Sequence, residues 1–403
     1  MSSNDDYLDA ALRHAVGVQR LTAGEVRKIL TLLSRADAEL VAKLRKRLRA
    51  NMTTAQVKAL IKDIAEIRKV LIAQLHDDLR GSLHELAPAE VAFETKLLNS
   101  VLPIDITLAG VEASVLRAAV TAKPFAGKTL GQWFKGLEQA DQGRLMAALQ
   151  LGIAQGESVD SIVRRVAGTK KANWKDGVLA VSRRNAEAIV RTAISHISNS
   201  AREAMWDANA DIIDGLMWVS TLDGRTTPIC QSNDGKVASV GGKPIPRNST
   251  PLLPPGSRPP AHVKCRSLMV AVLSAAGVAL RAGVRPFVRA TGVKRNFRSE
   301  AKEAAGERWS RMTKAQRDAA AKSAARSWAN DAVGTVPAST TYSDWMARQP
   351  LSFQVEVLGE VRAKLFRDGG LSLDAFVDIR GKEYTIAQLA ADNPDAFIRA
   401  GLA

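Results

Sequence analysis

The side chains with the most chemistry to offer gather past the middle of this chain. Cys230, His262 and Cys265 supply two thiols and an imidazole, the last two standing three positions apart. Thiolate and imidazole are the donors that tetrahedral zinc takes. Asp234 or Asp223 is the candidate oxygen donor for a fourth position. One HxxC with a distant cysteine falls short of paired CxxC knuckles. The competing reading is a buried thiol pair beside a hydrogen-bonded histidine. Zinc is therefore the one cofactor in view. Such a clip adds folding energy to a small, loop-rich unit.

Other patterns resemble sites and fail. Gly127-Lys128-Thr129 ends like a phosphate-binding loop, but Ala122 stands where the first glycine belongs, and Val111–Ala122 reads helical. Thr129 is better read as a helix cap. His84-Glu85 opens like a zinc-protease helix, but Pro88 takes the place of the second histidine. No acid–base pair stands beside the cysteine cluster, so the chain is not read as an enzyme. The alternative is a metal-dependent nuclease or transferase built on Cys230, His262 and Cys265.

The elements that must position these residues differ in texture from their surroundings. Ile212–Thr221 (IIDGLMWVST) has strand character. Asp223-Gly224 and Asp234-Gly235 are turn signals, Gly241–Pro260 is rich in Gly, Pro and Ser, and Leu268–Leu273 is a second strand. Residues 211–275 thus read as a small α+β unit. A long helix, Arg183–Ala210, feeds it, with Ala186, Ile189, Val190, Ala193 and Ile197 on one face.

Residues 7–100 carry apolar residues at threes and fours, behind capping-box spacings at Thr22–Glu25 and Thr53–Gln56, with breaks expected at Pro88 and Pro103. Ala140–Gln155 and Ser158–Ala167 read as a helix pair used for packing. Arg281–Arg289 reads as extended, Ala301–Asp331 as one Ala-rich helix and Gly334–Thr341 as a linker. A final helical segment holds Tyr342, Trp345, Met346 and Phe353. The expected fold is mainly α with a small central α+β domain, a helical N-terminal region and a helical C-terminal tail. The expected divisions are 1–180, 181–280, 281–334 and 335–403.

The 403 residues include 57 Lys and Arg against 41 Asp and Glu, a net charge of +16. That field favours a polyanion such as nucleic acid. Two segments hold most of it. Residues 24–50 include Lys43, Arg45, Lys46, Arg47 and Arg49, and residues 281–331 include Arg308, Arg311, Lys314 and Arg317. The expected partner is double-stranded DNA, bound without regard to sequence. Two cysteines make no disulfide scaffold, so a reducing cytoplasm is expected. The longest nearly uncharged apolar run, Leu268–Leu280, is 13 residues, short of the roughly 20 a membrane span needs. The polar, acidic start is unlike a secretory signal.

The segment W-V-S-T-x-D-G-R-T-T-P-x-C, then D-G-K-V, L-P-P-G and P-x-H-x-x-C-R, resembles the Mu F-like phage head morphogenesis family. Asp223, Arg225, Thr226, Cys230, Asp234, Gly235, Pro259, Pro260, His262, Cys265 and Arg266 occupy the motif positions. Ser267 stands where many members carry another cysteine. Residues 335–390 also resemble the tail of some members. The resemblance implies a minor head protein of a tailed phage or prophage, with portal, capsid and scaffold proteins as partners. It implies a place inside the capsid near the portal, reached from the host cytoplasm during assembly.

Overall fold

The computed structural model describes residues 3–49, 52–102, 106–242, 252–273, 284–289 and 295–402. Among them are fifteen α-helices and six strands, so the chain is mainly α with a small α+β centre. The break expected at Pro103 and residues 274–283 of the apolar and extended stretches lie outside the described residues.

The long helices are α1 (Ser3–Arg47), α2 (Thr54–Val101) and α6 (Val178–Ala208), which pack on one another. Between α2 and α6 come α3 (Ala113–Thr121), α4 (Leu130–Ala154) and α5 (Val159–Ala167). Ile29 and Leu33 of α1, Leu75 and Leu79 of α2, and Val190, Ala193 and Ile197 of α6 share one core. Each large side chain fully buried there contributes about 1.5–3 kcal/mol. Thr53 and Thr129 cap α2 and α4 with reciprocal bonds to Gln56 and Gln132, as their spacing predicts.

Two expectations fail in these helices. Thr22 caps nothing: it lies inside α1, its hydroxyl donating to the Val18 carbonyl at 2.7 Å. The helix begins far upstream because Tyr7, Leu8 and Ala11 already form a buried face. Pro88 does not end α2 but sits within it. Its missing N–H costs one helical bond, and the burial of Leu86, Ala87, Glu90 and Glu94 around it carries the helix through.

Two buried polar networks lock the helices. The Arg68 guanidinium, fully buried, bonds Asp141 at 2.5 Å and Asp37 at 2.7 Å, and Arg183 bonds the other Asp37 oxygen at 2.9 Å. Burial pushes the Asp37 carboxyl up, with Arg68 and Arg183 opposing it. Glu94 of α2 accepts from the Tyr7 hydroxyl at 2.5 Å, Arg202 at 2.8 Å and the Trp206 indole at 2.7 Å.

Two three-stranded sheets form the centre. The first has the order β3 (Val237–Ala238), β1 (Ile213–Val219), β4 (Leu268–Leu273), all antiparallel, with Leu216 opposite Ala238 on one side and Ala271 on the other. The Ala271 N–H donates to the Tyr7 hydroxyl at 3.2 Å, which ties α1 to this sheet. In the second, β5 (Val284–Val288) runs parallel to β2 (Leu222–Asp223) and antiparallel to β6 (Val333–Pro337). Strand β6 stands where the sequence suggests a linker. Its short Val-Gly-Thr-Val-Pro run gains strand form only by pairing with β5.

The Ala-rich stretch is not one helix but three: α8 (Phe297–Ala305), α9 (Arg308–Arg311) and α10 (Lys314–Ala332), reached after the short α7 (Pro228–Asn233). Gly306, at φ +54°, ends α8. Thr313 opens α10 by accepting from the Gln316 N–H at 3.3 Å. The tail comprises α11 (Tyr342–Ala347), α12 (Leu351–Leu358), α13 (Glu360–Arg367), α14 (Ile386–Asp392) and α15 (Pro394–Arg399). It packs around Tyr342, Trp345, Met346 and Phe353 together with Leu222 of β2. No helix among the described residues is long and apolar enough to cross a membrane.

Candidate metal centre and the motif around it

The chain leaves β2 through a turn whose acid is its anchor. The Arg225 N–H bonds the Asp223 carboxylate at 3.1 Å, and the Thr226 hydroxyl donates to the Thr221 carbonyl at 2.5 Å. Arg266 reaches the same carboxylate with both terminal nitrogens, at 2.6 and 2.7 Å. Burial alone would raise the Asp223 pKa, but Arg266 and Arg225 prevail and hold it below its usual 3.8. The Tyr342 hydroxyl donates to the Asp223 carbonyl at 2.9 Å, so the tail rests directly on this turn.

Asp234, expected as a candidate fourth ligand, has both oxygens engaged elsewhere. One oxygen accepts from the Ser220 N–H at 2.6 Å and Arg285 at 2.6 Å; the other accepts from Arg285 at 2.8 Å and the Tyr342 N–H at 2.6 Å. Gly235 follows at φ +79° and donates its N–H to the Trp218 carbonyl at 2.9 Å, a conformation that favours glycine. Asp223, the other oxygen candidate, is likewise taken by arginines.

The soft donors do converge. Cys230 rides on α7, which Pro228 opens. His262 and Cys265 come from the turn after the cis Pro259–Pro260 bond, where the Cys265 N–H donates to the His262 carbonyl at 3.1 Å. The two sulfurs are 3.7 Å apart, and the Cys230 sulfur is 3.2 Å from His262 Nε2. All three donor atoms lie within 4.8 Å of one another. The Cys230 hydrogen bond and the neighbouring imidazole hold the Cys265 thiol well below its usual 9.0 despite burial, while the same bond and burial push Cys230 up. Burial would lower the His262 pKa, but its bond to Cys265 raises it. The Ser267 hydroxyl lies 3.3 Å from that of Ser220 instead of joining the cluster.

A cleft of about 490 Å³ opens beside this turn, between α1, α6 and the start of β4. Arg191, Arg225, Lys264 and Arg266 line it, as does Cys265, and Glu187 is the one acid of its lining.

The expected nucleic-acid residues divide into engaged and exposed groups. Arg45 pairs with Asp160 at 2.6 Å, Arg47 pairs with Asp63, and Arg49 donates to the Leu48 carbonyl at 2.8 Å. Lys46 is exposed and Lys43 half-buried. Arg308, Arg311 and Lys314 are exposed. Arg317 instead bonds the carbonyls of Trp309 and Ser310, at 3.0 and 3.1 Å, which ties α9 to α10.

Sequence reasoning missed Arg285, the buried partner of Asp234, and the role of Tyr342. A charged residue inside the apolar run Val-Arg-Pro-Phe-Val was the available signal for the first. Nothing local marked the second.

Residues 144–270 match the family model described as Phage Mu protein F like protein. The match runs from within α4 to β4 and does not reach the tail. No curated protein and no solved structure matches the chain.

Proposed function

From the match of residues 144–270 to the Phage Mu protein F like model, we propose that the chain is a minor head protein of a tailed phage or prophage that acts by assembly rather than catalysis. The observation that carries this reading is that the matched segment forms the structural centre. Its motif residues are engaged in holding strands, turns and tail together: Arg266 grips Asp223, and Asp234 joins Ser220, Arg285 and Tyr342. The proposed partners are portal, capsid and scaffold proteins. The proposed setting is the capsid interior near the portal, after assembly in the host cytoplasm.

Docking is proposed through the helical region 1–180, where Val16, Leu21 and Val70 are exposed apolar residues on α1 and α2. Packaged DNA is a second proposed partner, met by exposed cations of α1 and α9 and by the cleft lined by Arg191, Arg225, Lys264 and Arg266. Mass spectrometry of purified procapsids and virions tests the reading. The chain should be present in both, and its absence from both would overturn the assignment.

A metal-dependent enzyme is the second reading, and two observations favour it. The cluster offers three protein donors, the number that catalytic zinc sites use, and Cys265 also lines the basic cleft.

A further inference from the structure

We propose that Cys230, Cys265 and Nε2 of His262 bind one zinc ion, with the fourth position left to water or to a donor from outside the chain. The geometry of the cluster stands independently of the assembly role. Zinc–sulfur bonds of about 2.3 Å and zinc–nitrogen bonds of about 2.0–2.1 Å, set at tetrahedral angles, place two sulfurs about 3.8 Å apart and sulfur and nitrogen about 3.5 Å apart. The cysteine sulfurs here are 3.7 Å apart, and Cys230 is 3.2 Å from the imidazole nitrogen. The third pair, the Cys265 sulfur and the imidazole, lies within 4.8 Å, so small side-chain movements complete the arrangement. A disulfide would need the sulfurs at about 2.05 Å.

The imidazole is set up in the form a metal requires. Its Nδ1 lies 2.9 Å from the Val263 carbonyl. A carbonyl only accepts, so Nδ1 carries a proton, and in the neutral ring the lone pair is then on Nε2, which faces the cluster with the Thr227 hydroxyl at 2.8 Å. A backbone carbonyl holding the far nitrogen is one of the usual supports of a metal-bound histidine. Both cysteines are buried, and thiolates select zinc over hard cations such as magnesium or calcium. No other His, Cys, Asp or Glu among the described residues joins the group, since Asp223 and Asp234 are held by arginines. The ion would join α7 to the turn after Pro260 and the approach to β4, with Cys230 and Cys265 35 residues apart in sequence.

The test uses the full chain, purified under reducing conditions without metal-affinity resin. Elemental analysis should find about one zinc per chain. Replacement by cobalt(II) should give thiolate-to-cobalt charge transfer and the intense visible bands of a tetrahedral site. Cys230→Ala and Cys265→Ala should each abolish both signals, and His262→Gln should weaken zinc binding at least tenfold. If the cysteine variants do not fold, the wild-type cobalt spectrum decides alone. A folded wild-type chain that takes up neither ion would overturn the proposal, as would full zinc occupancy in Cys230→Ala.

Discussion

Arg266 holds Asp223 through both terminal guanidinium nitrogens, at 2.6 and 2.7 Å, across 43 residues of sequence. The pair closes the excursion that carries the cysteines and the histidine, and Asp223 has almost no solvent access. Arg266→Ala should therefore destabilise the chain by about 2–4 kcal/mol, because it strands a buried carboxylate. Arg266→Lys should recover only part of this, since an ammonium cannot make the two-pronged contact. Urea unfolding of the full chain measures both, and a loss under 0.5 kcal/mol (about the level of a surface substitution) for Arg266→Ala would show that the pair does not hold the fold.

The same pair sets a dependence on pH. The Asp223 carboxyl is held below its ordinary value of 3.8 in the folded chain. A depressed carboxylate contributes stability that is fully present above the unfolded value and lost as pH falls through the folded one. The melting-temperature gap between wild type and Asp223→Asn should be constant near neutrality and shrink below pH 3.8. A gap that widens on acidification would reverse the sign of this argument.

Tyr342 links the tail to the centre. It is fully buried, donates to the Asp223 carbonyl at 2.9 Å and receives a bond from Gln231 at 3.3 Å. Tyr342→Phe removes those bonds while keeping the ring, and should cost about 1–2 kcal/mol. Tyr342→Ala opens a cavity as well and should cost about 3–5 kcal/mol. Because the ring packs with Leu222, both variants should lower one cooperative transition. Selective melting of residues 342–402, read by limited proteolysis with the centre intact, would instead make the tail a separate unit.

The helices and the first sheet were legible because they rest on local signals. Thr53 and Thr129 carry their capping partners three residues on, and the apolar residues of Ile213–Val219 and Leu268–Leu273 stand out from polar surroundings. The cluster was legible in its members, since thiols and imidazoles are few here. What long-range pairing decides was not legible. Strand β6 exists through β5, and Pro88 stays helical through the packing of its neighbours. The partners of Asp234 were hidden for the same reason. A carboxylate near cysteines in sequence resembles a ligand until Arg285, 51 residues on, is seen to hold it. Asp37, on a helix rich in basic residues, points inward to Arg68 and Arg183.

The charge of the Ala-rich region makes the last prediction. Arg308, Arg311 and Lys314 are exposed, whereas Arg317 is occupied with the carbonyls of Trp309 and Ser310. If these three cations face packaged DNA, binding to duplex DNA should ignore sequence and weaken steeply with salt. Each phosphate neutralised adds about −0.9 to the log–log salt slope. Replacing the three with Gln should then flatten the slope by about two to three units. Stability should hardly change, because exposed substitutions away from caps and cores stay within about 0.5 kcal/mol. Arg317→Gln alone should do the opposite, loosening the α9–α10 junction while leaving the slope nearly intact. A triple variant that binds DNA with the wild-type slope would make these residues a solvated face, and would leave any DNA contact to the cleft beside Arg266 or to Lys43 and Lys46.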